Sequence, residues 1–482
     1  MYTLLPFQFF KFSDSEMLLV NECGDYCFLP IVEFERFIHH ALPEHTDNFN
    51  KLKSKLFLAQ EDIEIAIEKM AAKYRSRKAF LRDFTTLHML VITLRCNQRC
   101  EYCQVSCAEE DAYKYDMPLH VAQKAIDIIF ESPSKRLKIE FQGGEPLLNW
   151  NVLKQTVLYA EKKAIQKNKN AEFVICTNLT LINEEQLYFC KDHNIHLSTS
   201  LDGPKELHDK FRISRLGHST YDHFYKKLEL ARRILGYNEV NALMTTTAFS
   251  LELLEKIVDK YIDVGMNGIF IRSLNPYGMA AEKSSVLGYS MNDFVEKYIQ
   301  ALKYIMQKNR EVFFPEYFAV LLFSRILTPF STGFVDLQSP AGTGISGVIY
   351  DYDGSVFPSD EARMLARMGD RYFCLGNVLS DKYQDIFYGN KLRSIIKNAC
   401  VEVTPSCAYC VYQAYCGCDP VRNYLETGSE VRSMENSPFC IKHKSIFTEL
   451  FNILHDKTDW EDAVIWSWIT NNPKWVKRNE NN

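Results

Sequence analysis

No apolar run in this 482-residue chain goes uninterrupted for the length of a membrane span. The most apolar stretch, FFPEYFAVLLFSRILTPF, holds Glu316, Arg325 and two prolines; it reads as a buried helix, and no membrane partner is expected. An excess of basic charge is also missing. Lys and Arg number 56 against 61 Asp and Glu, a net charge of -5, which argues against a nucleic-acid partner. The opening MYTLLPFQFFKFSDSE has no charged segment followed by a long apolar one, so no secretory signal is read and a cytoplasmic location is expected. Glycine is scarce at 20 residues, with no low-complexity tract and no repeat, so domains must be separated by pattern.

Cysteine, by contrast, is abundant: 15 residues, an odd number, in a chain that is 46% hydrophobic and long enough for two or three domains. Clustered cysteines in a chain of this kind point to metal binding and not to disulfides. Three of them, Cys96, Cys100 and Cys103, fall within eight residues of the string RCNQRCEYC, directly after the strand-like run Met89–Leu94. Thiolates are soft ligands for iron–sulfur clusters and zinc. Three on one loop hold three corners of a four-iron cube and leave one iron without a protein ligand, an open position for a small molecule. The alternative is a zinc staple with Cys107 as fourth ligand, in a peptide-binding protein without catalysis.

The C-x3-C-x2-C spacing with Tyr102 before the third cysteine resembles the signature of the radical S-adenosylmethionine enzymes. The resemblance implies that S-adenosylmethionine occupies the open iron and is cleaved by one electron to a 5′-deoxyadenosyl radical, which abstracts hydrogen from a substrate. One β/α unit on, Gln142-Gly143-Gly144-Glu145-Pro146 is similar to the family's GGEP motif, implying a contact to the methionine amino group. The glycines permit close backbone approach to a ligand, and Glu145 is suited to an ammonium. Thr177-Asn178 and the segment Ser200-Leu201-Asp202-Gly203-Pro204, followed by His208-Asp209 and Arg212, resemble the family's ribose and carboxylate contacts. For Asn178, Ser200, Asp202 and Arg212 the competing reading is turn formation and capping. Leu274 packs either on the adenine or in the core.

Seven cysteines follow residue 370. Cys407-x2-Cys410-x5-Cys416 with the distant Cys440 resembles the SPASM extension of peptide-modifying radical enzymes, which implies an auxiliary four-iron cluster with four thiolates; zinc is the alternative. The family often holds a second auxiliary cluster, and here the pattern departs: Ser359 stands where a cysteine is common, and C-x3-C is replaced by Cys416-Gly417-Cys418. Cys374, Cys400 and Cys418 are the remaining candidates.

Organisation follows from periodicity. Short strand-like pieces and then helical patterns over residues 1–85 predict a winged-helix-like α+β module whose open strand edge suits an extended peptide. A packing extension of the barrel explains the same pattern. Over 86–310, the runs LVITL, KIEFQGG, EFVICTN, IHLSTSLDG, ALMTTT and GIFIRSL alternate with amphipathic stretches. They predict an α/β fold, a partial (β/α)6 TIM-like barrel with its chemistry at the carboxyl ends of the strands. Residues 311–450 are expected to form a linker and a Cys-rich SPASM/twitch-like segment, and 451–482 a helical tail.

The strings LLPFQFFKF, SPAGTG, FPSDEARMLARMGD and CGCDPVRNY make the chain similar to the His-Xaa-Ser system radical maturases of the B type. That implies a small ribosomally made precursor peptide as substrate, an electron donor such as flavodoxin or ferredoxin, and a second maturase as a further partner. An anaerobic sulfatase maturase, which oxidises a Ser or Cys to formylglycine, is the rival among enzymes. The sequence names no general base: Asp360, Glu361 and the tyrosines are candidates, with surface or packing roles as the competing reading.

Overall fold

The computed structural model describes residues 2–60, 62–432 and 435–473. At the amino end, β1 (Phe7–Lys11), β2 (Glu16–Asn21) and β3 (Tyr26–Pro30) form an antiparallel meander, followed by helices α1 (Ile31–Ile38), α2 (Asp47–Ser54) and α3 (Ile63–Arg77). Alternation along β2 decides what each face covers. Leu19 turns into a small core with Phe34, Phe37, Phe49 and Phe57, while Leu18 and Val20 join the main core of the molecule. On that second side lies the helix Pro438–Asp456. Its Phe451 stands 5.1 Å from the Tyr26 ring, and its His455 stands 4.7 Å from Phe28. The expected boundary between 450 and 451 therefore falls inside one helix.

Nine strands build the central sheet: β4 (Leu87–Thr93), β5 (Arg136–Gly143), β6 (Asn170–Cys176), β7 (Ile195–Ser200), β8 (Val240–Thr245), β9 (Ile271–Arg272), β10 (Gly347–Tyr350), β11 (Ser355–Phe357) and β12 (Gly376–Asn377). Their order is β9-β8-β7-β6-β5-β4-β10-β11-β12. The first six are parallel neighbours, and they are the six runs read from the sequence. Beyond β4 the chain adds β10 in parallel and then the antiparallel β11 and β12.

Side-chain character follows each strand's surroundings. The run Leu90-Val91-Ile92 in β4 is fully buried, as expected for a parallel strand covered on both faces. In β5, Leu137, Ile139 and Phe141 enter the core, whereas Glu140 and Gln142 on the opposite face line a cavity of about 380 Å³. The apolar stretch after residue 312 becomes the buried helix Tyr317–Leu327, and among the described residues no helix is long and apolar enough to cross a membrane.

Candidate functional site

The cysteine loop leaves the carboxyl end of β4 and is fixed from several directions by backbone groups. Cys96 N–H donates to Ala108 O at 3.2 Å, Cys103 N–H to Cys100 O at 3.1 Å, and Met279 N–H to Cys103 O at 2.9 Å. The short ribbon Gln98–Cys100 pairs with Arg212–Ser214, in a register that sets Arg212 opposite Cys100. Burial pushes the Cys100 thiol up to about 12. A thiol–thiol hydrogen bond that Cys103 donates to Cys107, followed by burial, pushes Cys103 far above the ordinary range. These thiols stay protonated until a metal displaces the protons.

Gly143 and Gly144 lie against the backbone of the cysteine loop. A Cβ on Gly143 would lie 2.0 Å from Thr93 O, and one on Gly144 2.3 Å from Arg95 O. The close approach is thus to the backbone that leads into Cys96, sealed by Gly144 N–H to Thr93 O at 2.8 Å and Glu145 N–H to Arg95 O at 2.7 Å. Glu145 is fully buried and its oxygens accept from Thr177 Oγ1, Asn178 N–H and Leu147 N–H at 2.8, 2.8 and 3.1 Å. Burial outweighs these bonds and raises its carboxyl to about 7. Asn178 spends its side chain on the cysteine loop, its Nδ2 donating to Asn97 Oδ1 at 2.8 Å.

Tyr102, Asp202 and Arg212 meet in one buried group. Tyr102 Oη donates to Asp202 Oδ2, Arg212 Nε donates to the same oxygen at 3.1 Å, and the guanidinium lies 5.5 Å from the Tyr102 ring centre. Two residues read as separate ligand contacts are therefore partners of each other. Asp202 is 2% exposed and its Oδ1 has no partner among the described residues, so one acceptor beside the cysteine loop is left unanswered there. Ser200 is half-buried at the end of β7, and Leu274 is half-buried against the core with its N–H bonded to Tyr289 Oη at 2.7 Å.

Several supporting residues escaped sequence reasoning. Arg95 grips Asp116 through two nitrogens at 2.7 and 2.8 Å, and Arg215 Nε holds the Cys96 carbonyl at 2.9 Å. Gly278, at φ +54°, lets its helix meet the Cys103 carbonyl, 2.9 Å from where a Cβ would stand. The Arg95-Cys96 pair and the second arginine three residues after Arg212 were the available signals.

Cys407, Cys410, Cys416 and Cys440 line one cavity of about 300 Å³. A one-turn helix ending at Cys407 starts the winding, and Ser437 Oγ accepts from Cys440 N–H at 3.0 Å, fixing the fourth cysteine in the first turn of its helix. Burial and the neighbouring thiols push Cys407 up to about 12. Four thiols around one volume are a donor set that fits an iron–sulfur cluster. The three remaining cysteines have different immediate neighbours. Cys418 lines the central cavity, Cys400 bonds to Ile396 O at 3.4 Å, and Cys374 to Gly376 O at 3.6 Å. Ser359 caps the helix Asp360–Arg367, accepting from Ala362 N–H at 3.2 Å.

The central cavity collects charge. Glu140, Asp336, Asp360, Glu361 and Asp419 share it with Arg272, Arg422 and Lys442. Burial, with Asp336, Asp419 and Asp360 nearby, raises Glu361 to about 7; burial, with Arg422 nearby, lowers Lys442 to about 7. Both titrate near neutrality, which suits groups that exchange protons with a substrate.

Residues 90–259 match the model of the Radical SAM superfamily. An uncharacterized protein of Methanocaldococcus jannaschii is 32% identical over 189 residues, 39% of this chain and 62% of that protein. The cysteine-type anaerobic sulfatase-maturating enzyme of Clostridium perfringens is 23% identical over 362 residues, 74% of this chain and 93% of the enzyme. Two solved structures share the fold. Native anSMEcpe with bound AdoMet and Kp18Cys peptide has a TM-score of 0.63 at 21% identity, covering 77% of this chain and 98% of that one. Streptococcus suis SuiB bound to precursor peptide SuiA has a TM-score of 0.54 at 15% identity, covering 91% and 100%. With the three-thiol loop at its head, the segment 90–259 matches the Radical SAM superfamily, and the chain is an enzyme.

Proposed function

We propose that the chain modifies a ribosomally made precursor peptide of the His-Xaa-Ser type, by hydrogen abstraction that leads to a two-electron oxidation such as an intrapeptide cross-link. In this reading the parallel sheet is a partial (β/α)6 barrel, residues 1–85 are a winged-helix-like peptide module, and Cys407, Cys410, Cys416 and Cys440 hold an auxiliary four-iron cluster. The observation that carries it is the loop presenting Cys96, Cys100 and Cys103 together, with the unanswered Asp202 Oδ1 beside it. A four-iron cluster there, with S-adenosylmethionine, supplies the 5′-deoxyadenosyl radical when bound. Tyr102, Gly143, Gly144, Glu145, Asn178, Ser200, Asp202, Arg212 and Leu274 orient that cosubstrate directly or through the loop. The cavity lined by Glu361 and Lys442 receives the reacting peptide segment and moves its protons.

The peptide's remainder pairs with the outer edge of β1. The other edge of the meander is occupied, since Lys55 Nζ donates to Tyr26 O at 2.7 Å and Lys51 Nζ to Phe28 O at 3.3 Å. On β1, Phe9 is 54% exposed. A likeness to SuiB that spans 91% of the chain supports a peptide substrate. A flavodoxin or ferredoxin delivers electrons in the cytoplasm, with a second maturase acting on the same peptide.

The test is anaerobic incubation of the reduced protein with S-adenosylmethionine and a His-x-Ser-containing peptide. The expected result is 5′-deoxyadenosine and a peptide lighter by two hydrogens, both lost in Cys96→Ala, Cys100→Ala and Cys103→Ala. Coverage of 93% of the sulfatase-maturating enzyme favours formylglycine formation as a second reading. Conversion of a sulfatase-derived Cys or Ser peptide, with the His-x-Ser peptide unchanged, would select it.

A further inference from the structure

Beside Cys416 lies a buried cation that bonds no anion among the described residues. Arg325, in the helix Tyr317–Leu327, is 9% exposed, and its Nε donates to Tyr415 O at 2.7 Å, one residue before Cys416. Arg325 and Cys416 line the same small cleft. A second arginine buttresses the first. Arg77 Nη1 donates to Arg325 O at 2.8 Å, its other nitrogens go to Cys23 O and Gly24 O, and its guanidinium stands 5.6 Å from the Tyr415 ring centre.

The bonds of both guanidiniums among the described residues thus end on carbonyls. The two carboxylates in the cleft are otherwise engaged: Glu402 by Lys78, Tyr74 and Ser339, while the charges acting on Glu22 are those of Glu402 and Lys78. Cys416 lines this cleft with Arg325, so an anionic centre held by that thiol would face the guanidinium. Burying a guanidinium without an anion is costly, so buried charges are paired. A four-iron core held by four thiolates is an anion, and gains a further negative charge on reduction.

We infer that Arg325, supported by Arg77, is the counter-cation of the anionic centre at Cys407, Cys410, Cys416 and Cys440, and holds that centre's reduction potential up. A fixed positive charge stabilises the reduced, more negative form more than the oxidised one. Arg325 is a positioning and tuning residue here, not a catalytic one. The inference rests on the assignment of a cluster to those four cysteines.

The experiment uses the full chain with Cys96, Cys100 and Cys103 replaced by Ala, reconstituted anaerobically with iron and sulfide so that only the auxiliary centre remains. Its midpoint is read by EPR-monitored potentiometry with Arg325, Arg325→Gln and Arg325→Lys. Arg325→Gln is expected to retain its iron and to lower the reduction equilibrium about tenfold, 59 mV for a one-electron couple, with Arg325→Lys recovering most of the shift. If Arg325→Gln does not assemble, Arg77→Gln is expected to shift the midpoint in the same direction by less. A midpoint unchanged in whichever variant assembles overturns the inference while leaving the cluster in place. Absence of iron in the parent removes the cluster assignment, and the inference with it.

Discussion

At the scale of single residues, the site rests on contacts that tolerate almost no added volume. Gly144→Ala places a methyl 2.3 Å from a backbone oxygen of Arg95, and that oxygen has no room to retreat because it accepts from Glu145 N–H. The variant is expected to lose about 2–4 kcal/mol in chemical unfolding, the range of severe single-site changes, and to bind iron poorly. An unaltered unfolding midpoint would show that the approach is looser than described. The Asp202–Arg212 pair yields a second prediction. Removing one partner leaves a buried unpaired charge, at a cost of about 3–5 kcal/mol. In a double-mutant cycle with Asp202→Asn and Arg212→Gln, the double variant is expected to be more stable than the two single losses summed. Strict additivity would mean the two residues act separately on a ligand, as their sequence context had suggested. That context revealed the residue types but not their partners, because Asp202 and Arg212 are ten residues apart and meet only through the ribbon that sets Arg212 against Cys100.

At the scale of elements, the six parallel strands were readable because a doubly covered strand is a short apolar run bounded by polar residues. The rest of the sheet was harder to read. β10 and β11 read as a strand–turn–strand unit, but nothing local says that β10 lies parallel to β4, across more than 250 residues of chain. One residue in β4 carries a pH signature of that junction. His88 is fully buried, with its ring nitrogens bonded to Thr85 O at 3.0 Å and Tyr350 Oη at 3.2 Å, and burial lowers its pKa to about 3. Its folded-state value lies below the unfolded one, so its stabilisation is complete above pH 6.5 and is lost as pH falls toward 3. The loss amounts to about 1.4 kcal/mol per pH unit. Thermal midpoints between pH 6.5 and 5 are expected to fall less steeply in His88→Gln than in the parent; parallel slopes would place the proton elsewhere.

At the scale of the whole molecule, the amino-terminal module is not a detachable arm. Leu18 and Val20 enter the main core, Tyr415 Oη donates to Gly24 O at 2.9 Å, and Arg77 reaches Arg325. Deleting residues 1–80 would expose core and not simply subtract peptide affinity. The cleaner test of the peptide edge is hydrogen exchange. Amides of Phe7–Lys11 are expected to gain protection when the precursor peptide binds, while those of Tyr26–Pro30 stay unchanged, and the opposite pattern would move the peptide to β3. The sequence marked this module through its strand and helix periods. It could not show that the carboxyl-terminal helix covers the module's other face, since such long-range packing leaves no local pattern. The cysteine spacings were legible for the opposite reason. Three thiols within eight residues, and C-x2-C-x5-C, are local patterns, and the fold brings the distant Cys440 to the same cavity as the second set.

The central claim is two thiolate-held iron centres of different kinds, one with an open iron. The most direct measurement is the iron content and EPR spectrum of the anaerobically reconstituted chain, with and without S-adenosylmethionine. About eight irons are expected, in two clusters of four. Iron should fall by half when Cys96, Cys100 and Cys103 are replaced, and by half when Cys407, Cys410, Cys416 and Cys440 are replaced, with only the first cluster's spectrum changed by S-adenosylmethionine. A spectrum at the first loop that ignores S-adenosylmethionine, or zinc in place of iron, would contradict the account.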